Sequence, residues 1–293
     1  MFYGLSAHIL WGFFPAYFPL LAPAAPVEIV AHRIIWTLLV MLIFTAAIGG
    51  WQGIRAATRK DLAWLFLASL MIAVNWGVYV LAVNSGHVAQ AALGYFINPL
   101  VSVALGVLVL KERLRPIQAI AIGIATIAVT YLTFAQGEVP IAALTIALSF
   151  ALYGLIKKKI SIPAVAQMTV ETIVLFPIAL AYWAYLAHTG ASTFTGHGHV
   201  HSLLLISSGL ITAVPLLLFN KAAQVLPLAT LGIIQFLTPN IQAIWAFFVK
   251  HEPMPIANLI TFGALWLAVA LYLSDVVRLD RQRRSAEDAN NDV

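Results

Sequence analysis

Ten long apolar runs, separated mostly by short polar connections, restrict the fold of this chain more than any other feature. A helix needs about 20 mostly apolar residues to cross the hydrocarbon core of a bilayer. The runs have about this length and lie at residues 2–21, 28–48, 62–82, 88–109, 117–136, 140–157, 164–187, 202–223, 228–249 and 256–276. They predict an all-α polytopic membrane protein with ten transmembrane helices.

The composition leads to the same conclusion. Of the 293 residues, 62% are hydrophobic and 9% are charged, whereas soluble domains carry about 25% charged residues. A core built from this chain cannot hide so much apolar surface from water, so much of that surface must face lipid. No basic segment precedes the first run, and we therefore expect a retained helix rather than a cleaved signal peptide. Cysteine is absent, which excludes disulfides and thiolate-bound metals.

The positions of the basic residues predict the orientation. Cytoplasmic loops of membrane proteins are rich in Lys and Arg. With the N-terminus inside, Arg33 lies within a run, Lys250 lies in an outer loop, and fourteen of the sixteen basic residues lie in inner connections or the tail: Arg55, Arg59, Lys60, Lys111, Arg113, Arg115, Lys157, Lys158, Lys159, Lys221, Arg278, Arg281, Arg283 and Arg284. This bias predicts an N-in, C-in topology. Because the cations flank apolar runs, the net charge of +5 does not indicate a nucleic-acid partner.

One segment of the chain recurs about 140 residues later. Leu93–Leu114 and Ile233–Met254 share Phe, Pro, Val and Glu at matching positions. The repeated unit contains five runs, and because five is odd the second unit must cross the membrane in the opposite sense. We therefore predict two inverted five-helix repeats, over 1–138 and 139–277, and a charged cytoplasmic tail at 278–293. Such repeats are typical of secondary transporters, although duplicated membrane domains also occur in channels.

The repeated segment places a proline in the middle of two predicted helices. Pro99 and Pro239 cannot donate a hydrogen bond to the carbonyl four residues before them, and an unsatisfied carbonyl in hydrocarbon costs several kcal/mol. Asn98 and Asn240 lie beside them. We interpret the pair as kinks in two helices that flank a central cavity. The alternative is a packing kink without a role in binding.

Several segments resemble a known transporter family. They are "EIVAHRIIW" (Glu28–Trp36), "GYFINPL" (Gly94–Leu100), "LKERLR" (Leu110–Arg115), "SFALYGLIKKKI" (Ser149–Ile160) and "TLGIIQFLTPNI" (Thr230–Ile241). They resemble the RarD proteins, a branch of the EamA-type carriers in the drug/metabolite transporter superfamily. The resemblance covers nearly the whole chain and implies a ten-helix permease of the plasma (inner) membrane, built from two EamA repeats. Members of the superfamily export amino acids, metabolites and drugs, or exchange sugar phosphates; the resemblance does not imply one substrate.

Two ionisable residues lie well inside apolar runs, where charge is costly and indicates function. Arg33 and Glu171 occupy matching positions in the two repeats, at similar depths from opposite surfaces. We expect them to flank one cavity from its two ends, with Arg33 binding an anionic group of the substrate. Burial disfavours the charged form of a carboxylate, so Glu171 is the candidate for proton coupling. An internal ion pair or a snorkelling side chain is the alternative for both residues.

Other polar and amphipathic residues lie in or near the runs. A ligand site usually sets a few polar groups in an apolar and aromatic wall. With Arg33, the predicted substrate-binding residues are Asn75, Trp76, Asn84, Tyr95, Asn98, Gln235 and Asn240. His8 and Trp11 lie one turn apart and are further candidates for this wall. The alternative for the amides is interhelical hydrogen bonding, worth about 0.6 kcal/mol on average, and for His8 it is ordinary packing.

Two further motifs carry weaker signals. The spacing of His197, His199 and His201 in the longest loop suits a metal ion, but a solvated tether fits a glycine-bearing loop better, and we predict no metal and no cofactor. Glu112 and Glu252 end two helices at opposite membrane faces. They are predicted to act as caps or loop ion pairs, at positions where a gate would also lie.

Together these features predict a secondary active transporter that moves a small organic metabolite or drug-like compound by alternating access. No GxxxxGK[ST] motif is found in the sequence, so ATP is not expected to drive it. A passive channel and a membrane-embedded enzyme are the alternatives, and the enzyme lacks a clustered catalytic motif. The expected partners are a small-molecule substrate, the lipid bilayer and, optionally, a second copy in a homodimer.

Overall fold

The computed structural model describes residues 1–85, 88–136, 141–249, 251 and 255–291, and for 83–84, 88–91, 136 and 280–291 it describes the backbone alone. Apart from one 3₁₀ helix at Phe18–Leu21, every element there is an α-helix: α1 Phe2–Gly12, α2 Phe14–Tyr17, α3 Pro26–Ala47, α4 Trp51–Arg55, α5 Arg59–Asn84, α6 Val88–Leu108, α7 Pro116–Gln136, α8 Ile141–Lys157, α9 Ala164–Thr189, α10 His199–Val225, α11 Leu228–Gln235, α12 Leu237–Phe248 and α13 Ile256–Asn291. The all-α prediction is confirmed.

Seven helical segments in these ranges are long and apolar enough to cross a membrane, with α11 and α12 counted as one segment. Two shorter apolar stretches, Ala92–Leu108 and Ile141–Lys157, accompany them. The outermost helices expose large apolar side chains, among them Phe134 of α7, whose exposed fraction is 82%. This surface agrees with a multi-pass membrane protein. The prediction of ten spans goes further and stays a prediction.

Prolines and glycines explain where several helices begin and end. Pro26 and Pro116 open α3 and α7, positions where the missing N–H costs nothing because the first helical amides have no intrahelical partner. Pro163 and Pro227 directly precede α9 and α11 in extended conformations. Gly190 ends α9 in the left-handed region at φ 70°, which a residue without Cβ adopts without strain.

Two of the apolar runs are interrupted: the prediction of one helix over the first run was wrong, whereas the interruption of the ninth run lies three residues from Pro239, where a kink was predicted. The first run stops as an α-helix at Gly12 and continues through α2 into the 3₁₀ turn, because Pro15 and Pro19 lack the N–H that would continue the ladder. The ninth run divides at Phe236 into α11 and α12. Both breaks border the same internal space.

The helices pack in two main groups. One buried cluster joins α6, α7, α11 and α13, and a second joins α1, α5, α8, α9, α10 and α11. The principal neighbours are α3 with α9 and α10, α5 with α8 and α9, α6 with α8 and α11, α1 with α10 and α12, and α7 with α13. The helix α11 contributes residues to both clusters and therefore connects them.

Candidate functional site

A cavity of about 610 Å³ lies among α1, α2, α3, α5, α6 and the broken pair α11–α12. Its volume falls in the range of small-molecule sites, which is roughly 300–1,000 Å³. The lining extends from His8 in α1 to Pro19 in the link between α1 and α3, to Pro26 at the start of α3, and to Ala246 near the end of α12. The cavity therefore begins near the middle of these helices and reaches one end of them.

Arg33 of α3 supplies the positive charge of the cavity wall. Its guanidinium carbon lies 4.5 Å from the ring centre of Trp76 and 5.4 Å from that of Phe18. Its Nε donates a hydrogen bond of 2.9 Å to Oγ1 of Thr212. Contacts between a cation and an aromatic face are worth about 0.5–2 kcal/mol, so they offset part of the cost of holding a charge away from water.

The predicted residues that line this cavity include Asn75, Trp76, Tyr95, Asn98 and Gln235 as well as Arg33 and Pro239. Asn75 also has a structural role, because its Nδ2 donates a hydrogen bond of 2.8 Å to the carbonyl oxygen of Ile146. This bond joins α5 to α8, as the interhelical alternative predicted. The side chain of Asn84 lies outside the described residues.

Asn240 and Glu171 lie outside the cavity lining, so the structure does not bring them together with the other predicted residues. Asn240 is buried, and its Nδ2 donates a hydrogen bond of 2.7 Å to the carbonyl oxygen of Phe236. That carbonyl lies at the break between α11 and α12. It also accepts the backbone N–H of Asn240 at 3.3 Å, so the side chain reinforces this turn and does not replace the bond that Pro239 cannot donate to the carbonyl of Gln235.

Pro99 is buried against α11 rather than at the cavity wall. A Cβ added at Gly232 would lie 2.8 Å from the carbonyl oxygen of Pro99, closer than real Cβ contacts allow. The absence of a side chain at Gly232 thus lets α11 approach the α6 backbone. Of the two predicted kink prolines, Pro239 lines the cavity and Pro99 forms this close helix contact.

Glu171 belongs to a buried polar cluster in the second half of the chain. Lys157 Nζ forms an ion pair with its Oε1, and the Tyr153 hydroxyl lies 3.0 Å from its Oε2 and 2.9 Å from Oδ1 of Asn220. The hydroxyl has one hydrogen, so it can donate to only one of these acceptors at a time. Asn220 and Lys157 are both 0% exposed.

The burial of Lys157 corrects the sequence prediction, which placed this residue in an inner connection with its two neighbouring lysines. The α8 helix ends at Lys157, as the run 140–157 predicted, but the residue is buried, and its carboxylate partner two turns into α9 stabilises the charge inside the protein. Lys159 is exposed, as predicted. A second cavity, of about 20 Å³, lies beside Glu171 and shares Ile72, Trp76 and Leu216 with the lining of the large one. Glu171 is therefore a neighbour of the main cavity rather than its far wall.

His8 and Trp11 line the main cavity. His8 Nδ1 lies 3.0 Å from Oγ1 of Thr238, and that hydroxyl lies 3.0 Å from the carbonyl oxygen of His8. The hydroxyl must donate to the carbonyl, so it accepts from a protonated Nδ1. In neutral His8 the Nε2 atom is then an acceptor, and it has no partner among the residues that the structure describes.

The sequence did not single out Thr212 or Tyr79, although both belong to the site or its support. Isolated threonines and tyrosines on apolar helices are common, and no spacing marks these two. Thr238, which the sequence places beside Pro239, lines the cavity. The depth of Arg33 was the only available signal for a hydroxyl acceptor near it.

Glu112 acts as a helix cap, as predicted. Its Oε1 and Oε2 accept hydrogen bonds of 2.7 and 2.8 Å from the backbone amides of Leu228 and Ala229, the first residues of α11. A Cβ at Gly106 would lie 2.7 Å from Oε2, so this glycine leaves room for the carboxylate. The cap closes the end of the helix bundle that lies away from the cavity mouth. Its sequence counterpart Glu252 lies outside the described residues.

The histidines at 197, 199 and 201 differ in their surroundings, although the ring centres of His197 and His201 lie 5.7 Å apart. His201 is buried, with its Nε2 3.0 Å from Oγ1 of Thr193, whereas His197 and His199 are exposed. Glu28 accepts hydrogen bonds from the backbone and hydroxyl of Thr193 and so attaches the loop to α3. In the part of the chain that the structure describes, no three His, Asp or Glu side chains are arranged to hold a metal ion.

Comparisons with known proteins agree with this architecture. The model of the EamA-like transporter family matches residues 1–134. Protein RarD of Streptomyces exfoliatus is 43% identical, over 99% of this chain and 92% of the relative. The uncharacterized transporter YojE of Bacillus subtilis strain 168 is 41% identical over 97% and 96%, and Protein RarD of Escherichia coli strain K12 is 36% identical over 95% of each.

A solved crystal structure with 16% sequence identity aligns with a TM-score of 0.71, over 92% of this chain and 96% of that one. At this identity the likeness concerns the fold alone. The alignment nevertheless covers both halves of the chain, including α8 to α13, which lie beyond the residues matched by the family model.

Proposed function

The chain belongs to the EamA-like transporter family as a relative of the RarD proteins, and from this premise we propose that it is a secondary active transporter. It moves a small organic metabolite or drug-like compound across the plasma membrane by alternating access. The observation that carries the proposal is the internal cavity of about 610 Å³, which holds a guanidinium and several amides within an aromatic wall.

The packing supports two inverted five-helix repeats, with α1, α3, α5, α6 and α7 in the first and α8, α9, α10, α11–α12 and α13 in the second. If each helix is replaced by its counterpart in the other repeat, the α5–α8 contact becomes the α10–α1 contact, and the α6–α8 contact becomes the α12–α1 contact. In the pairs α3–α9, α6–α11 and α7–α13 each helix contacts its own counterpart, so the replacement leaves these contacts unchanged. A pseudo-two-fold axis produces this pattern of neighbours, and it is the symmetry on which alternating access is built.

We propose that this state is outward-facing. With the N-terminus inside, the link between α1 and α3 and the end of α12 lie on the outer side, and the cavity reaches both. At the opposite end, Glu112 holds the start of α11, and Arg115 forms an ion pair of 2.7 Å with Asp275. These contacts would have to separate before the cavity opened inward.

Engineered cysteines test this proposal, because the chain has no cysteine of its own. Ala246→Cys lies on the cavity wall and Ala229→Cys lies at the closed end. A membrane-impermeant thiol reagent should label Ala246→Cys from the outside, and Ala229→Cys only from the inside, with the two labellings mutually exclusive in a double variant. The cysteine-free parent is the control for background labelling.

A passive channel, the alternative function, predicts a different outcome. A continuous pore would let one reagent reach both positions from the same side at the same time. Such simultaneous labelling would contradict alternating access.

We further propose that Glu171 takes up and releases a proton when the inner side opens. Protonation neutralises the carboxylate and removes its attraction for Lys157, which favours separation of α8 from α9. Lower pH should therefore raise the labelling rate of Ala229→Cys from the inside. In Glu171→Gln the rate should be high at every pH, whereas Glu28→Gln, which alters a carboxylate at the outer end, should retain the pH response. If Glu171→Gln and the parent show the same pH profile, the ion pair is only structural.

A further inference from the structure

We infer that the cavity binds organic anions, in which one carboxylate is carried on a flat apolar body, in preference to amines and uncharged amides. The inference rests on the proposed transport function and names the substrate class of that site. It follows from the environment of Arg33, from the hydrogen bonds that its guanidinium leaves open, and from the composition of the wall.

The acidic side chains that the structure describes do not neutralise Arg33. Each acidic side chain within the described residues is engaged elsewhere: Glu28 with Ser192 and Thr193, Asp61 with Thr58 and Ser161, Glu112 with Leu228 and Ala229, Glu171 with Lys157, and Asp275 with Arg115. Within the same residues, no acid lies within ion-pair distance of Arg33. A cation at this depth is costly without a counter-ion, and a bound anion would provide one.

The orientation of the Arg33 guanidinium determines which of its hydrogen-bond donors a ligand can reach. Arginine has five N–H donors in a planar fork, and the contact with Thr212 uses the one on Nε. Within the described part of the chain, the terminal nitrogens make no hydrogen bond to protein. The guanidinium carbon lies over the ring of Trp76, and Arg33, which is half-buried, lines the cavity. An edge with free paired donors is the geometry that binds a carboxylate through two parallel hydrogen bonds.

The side chains of the cavity wall indicate the chemistry of the rest of the ligand. The wall around Arg33 is aromatic, with Trp11, Phe150 and Trp245 lining the space besides Trp76, so it accommodates a flat apolar body. No carboxylate belongs to this lining among the residues described. An ammonium group would meet the field of Arg33 and find no anionic partner, and an uncharged amide would leave the guanidinium unpaired.

Three ligands with one ring system test the inference. The purified full-length protein is titrated with 2-naphthoate, 2-naphthamide and 2-naphthylmethylamine, and binding is measured by isothermal titration calorimetry. We expect 2-naphthoate to bind at least tenfold more tightly than the amide, with the amine weakest. Equal or tighter binding of the amide or the amine, or no binding of any of the three, would overturn the inference.

Variants at Arg33 and Thr212 identify the cause of the preference. Arg33→Gln should bind the acid and the amide equally, and Arg33→Lys should retain part of the difference. Thr212→Val keeps the charge but frees Nε, so naphthoate affinity should fall several-fold, and Thr212→Ser should restore it. This pair decides the matter even if Arg33→Gln does not fold. A preference for naphthoate that survives in Arg33→Gln, or an unchanged naphthoate affinity in Thr212→Val, would contradict the role of the guanidinium.

The substrate class and the transport mechanism are read from different measurements. Binding selectivity judges the acid preference, and the two-sided cysteine labelling judges alternation. A protein that prefers naphthoate but never exposes Ala229→Cys inward would contradict the carrier and leave the substrate class standing. One that alternates but binds all three ligands equally would do the reverse.

Discussion

Two charged residues within apolar runs, Arg33 and Glu171, could be found from the sequence alone, but their partners could not. Depth in an apolar run marks an ionisable residue, because charge is rare and costly there. The contact with Thr212 joins residues 179 positions apart, and nothing local indicates it. The run 140–157 ends at Lys157 as α8 does, but three consecutive lysines are typical of an exposed connection, so the burial of this residue and its ion pair with Glu171 were not predicted.

The ion pair between Lys157 and Glu171 leads to a prediction about stability. Lys157→Met alone should lower the free energy of unfolding by about 3–5 kcal/mol, because it leaves a buried carboxylate without its partner. The double variant Lys157→Met/Glu171→Gln should regain most of this loss, since no uncompensated charge remains. Thermal unfolding in detergent would measure the difference.

Lys159→Met is the matched control, because Lys159 is exposed and forms no ion pair among the residues described, although its Nζ lies 4.9 Å from the ring centre of Trp64. Its effect should stay below about 1 kcal/mol. A double variant as unstable as Lys157→Met would show that the cost comes from packing rather than from charge.

At the scale of elements, apolar length located the helices well, but helix continuity could not be read from it. The prolines at 15, 19 and 239 lie near interruptions, yet Pro177 and Pro215 lie inside unbroken α9 and α10. Whether a proline breaks a helix depends on what replaces the lost hydrogen bond and on the neighbours of that turn. At 239 the neighbours are a cavity and the amide of Asn240, which only the assembled structure reveals.

The cap on α11 gives a prediction at this scale. Glu112→Ala removes the acceptor of two amide hydrogen bonds and should lower the free energy of unfolding by about 1–3 kcal/mol. Glu112→Gln retains one acceptor oxygen and should lose roughly half as much. Thermal unfolding of the purified variants measures both, and an unchanged Glu112→Ala protein would rule out the cap as a stabilising contact.

For the whole molecule, the sequence predicts a duplication because matching residues occur in the same order in both halves. The symmetry of neighbours among the helices agrees with it. What the sequence could not give is the state of the molecule: which end of the cavity is open, and that Arg33 lines the large space while Glu171 lies in a filled cluster beside it. Two conformations of one symmetric chain share the same sequence pattern, so only three-dimensional packing distinguishes them.

The close approach of Gly232 to the carbonyl of Pro99 has a mechanical consequence. Helices whose side chains interdigitate resist rolling over one another, because each ridge of side chains must leave the groove in which it packs. At Gly232 no side chain separates the two backbones, so, if the two halves tilt during transport as proposed, they can do so at this crossing with the least repacking. Gly232 would then lie at the pivot of this movement, and a larger residue at the position would hold the cavity closed at one end.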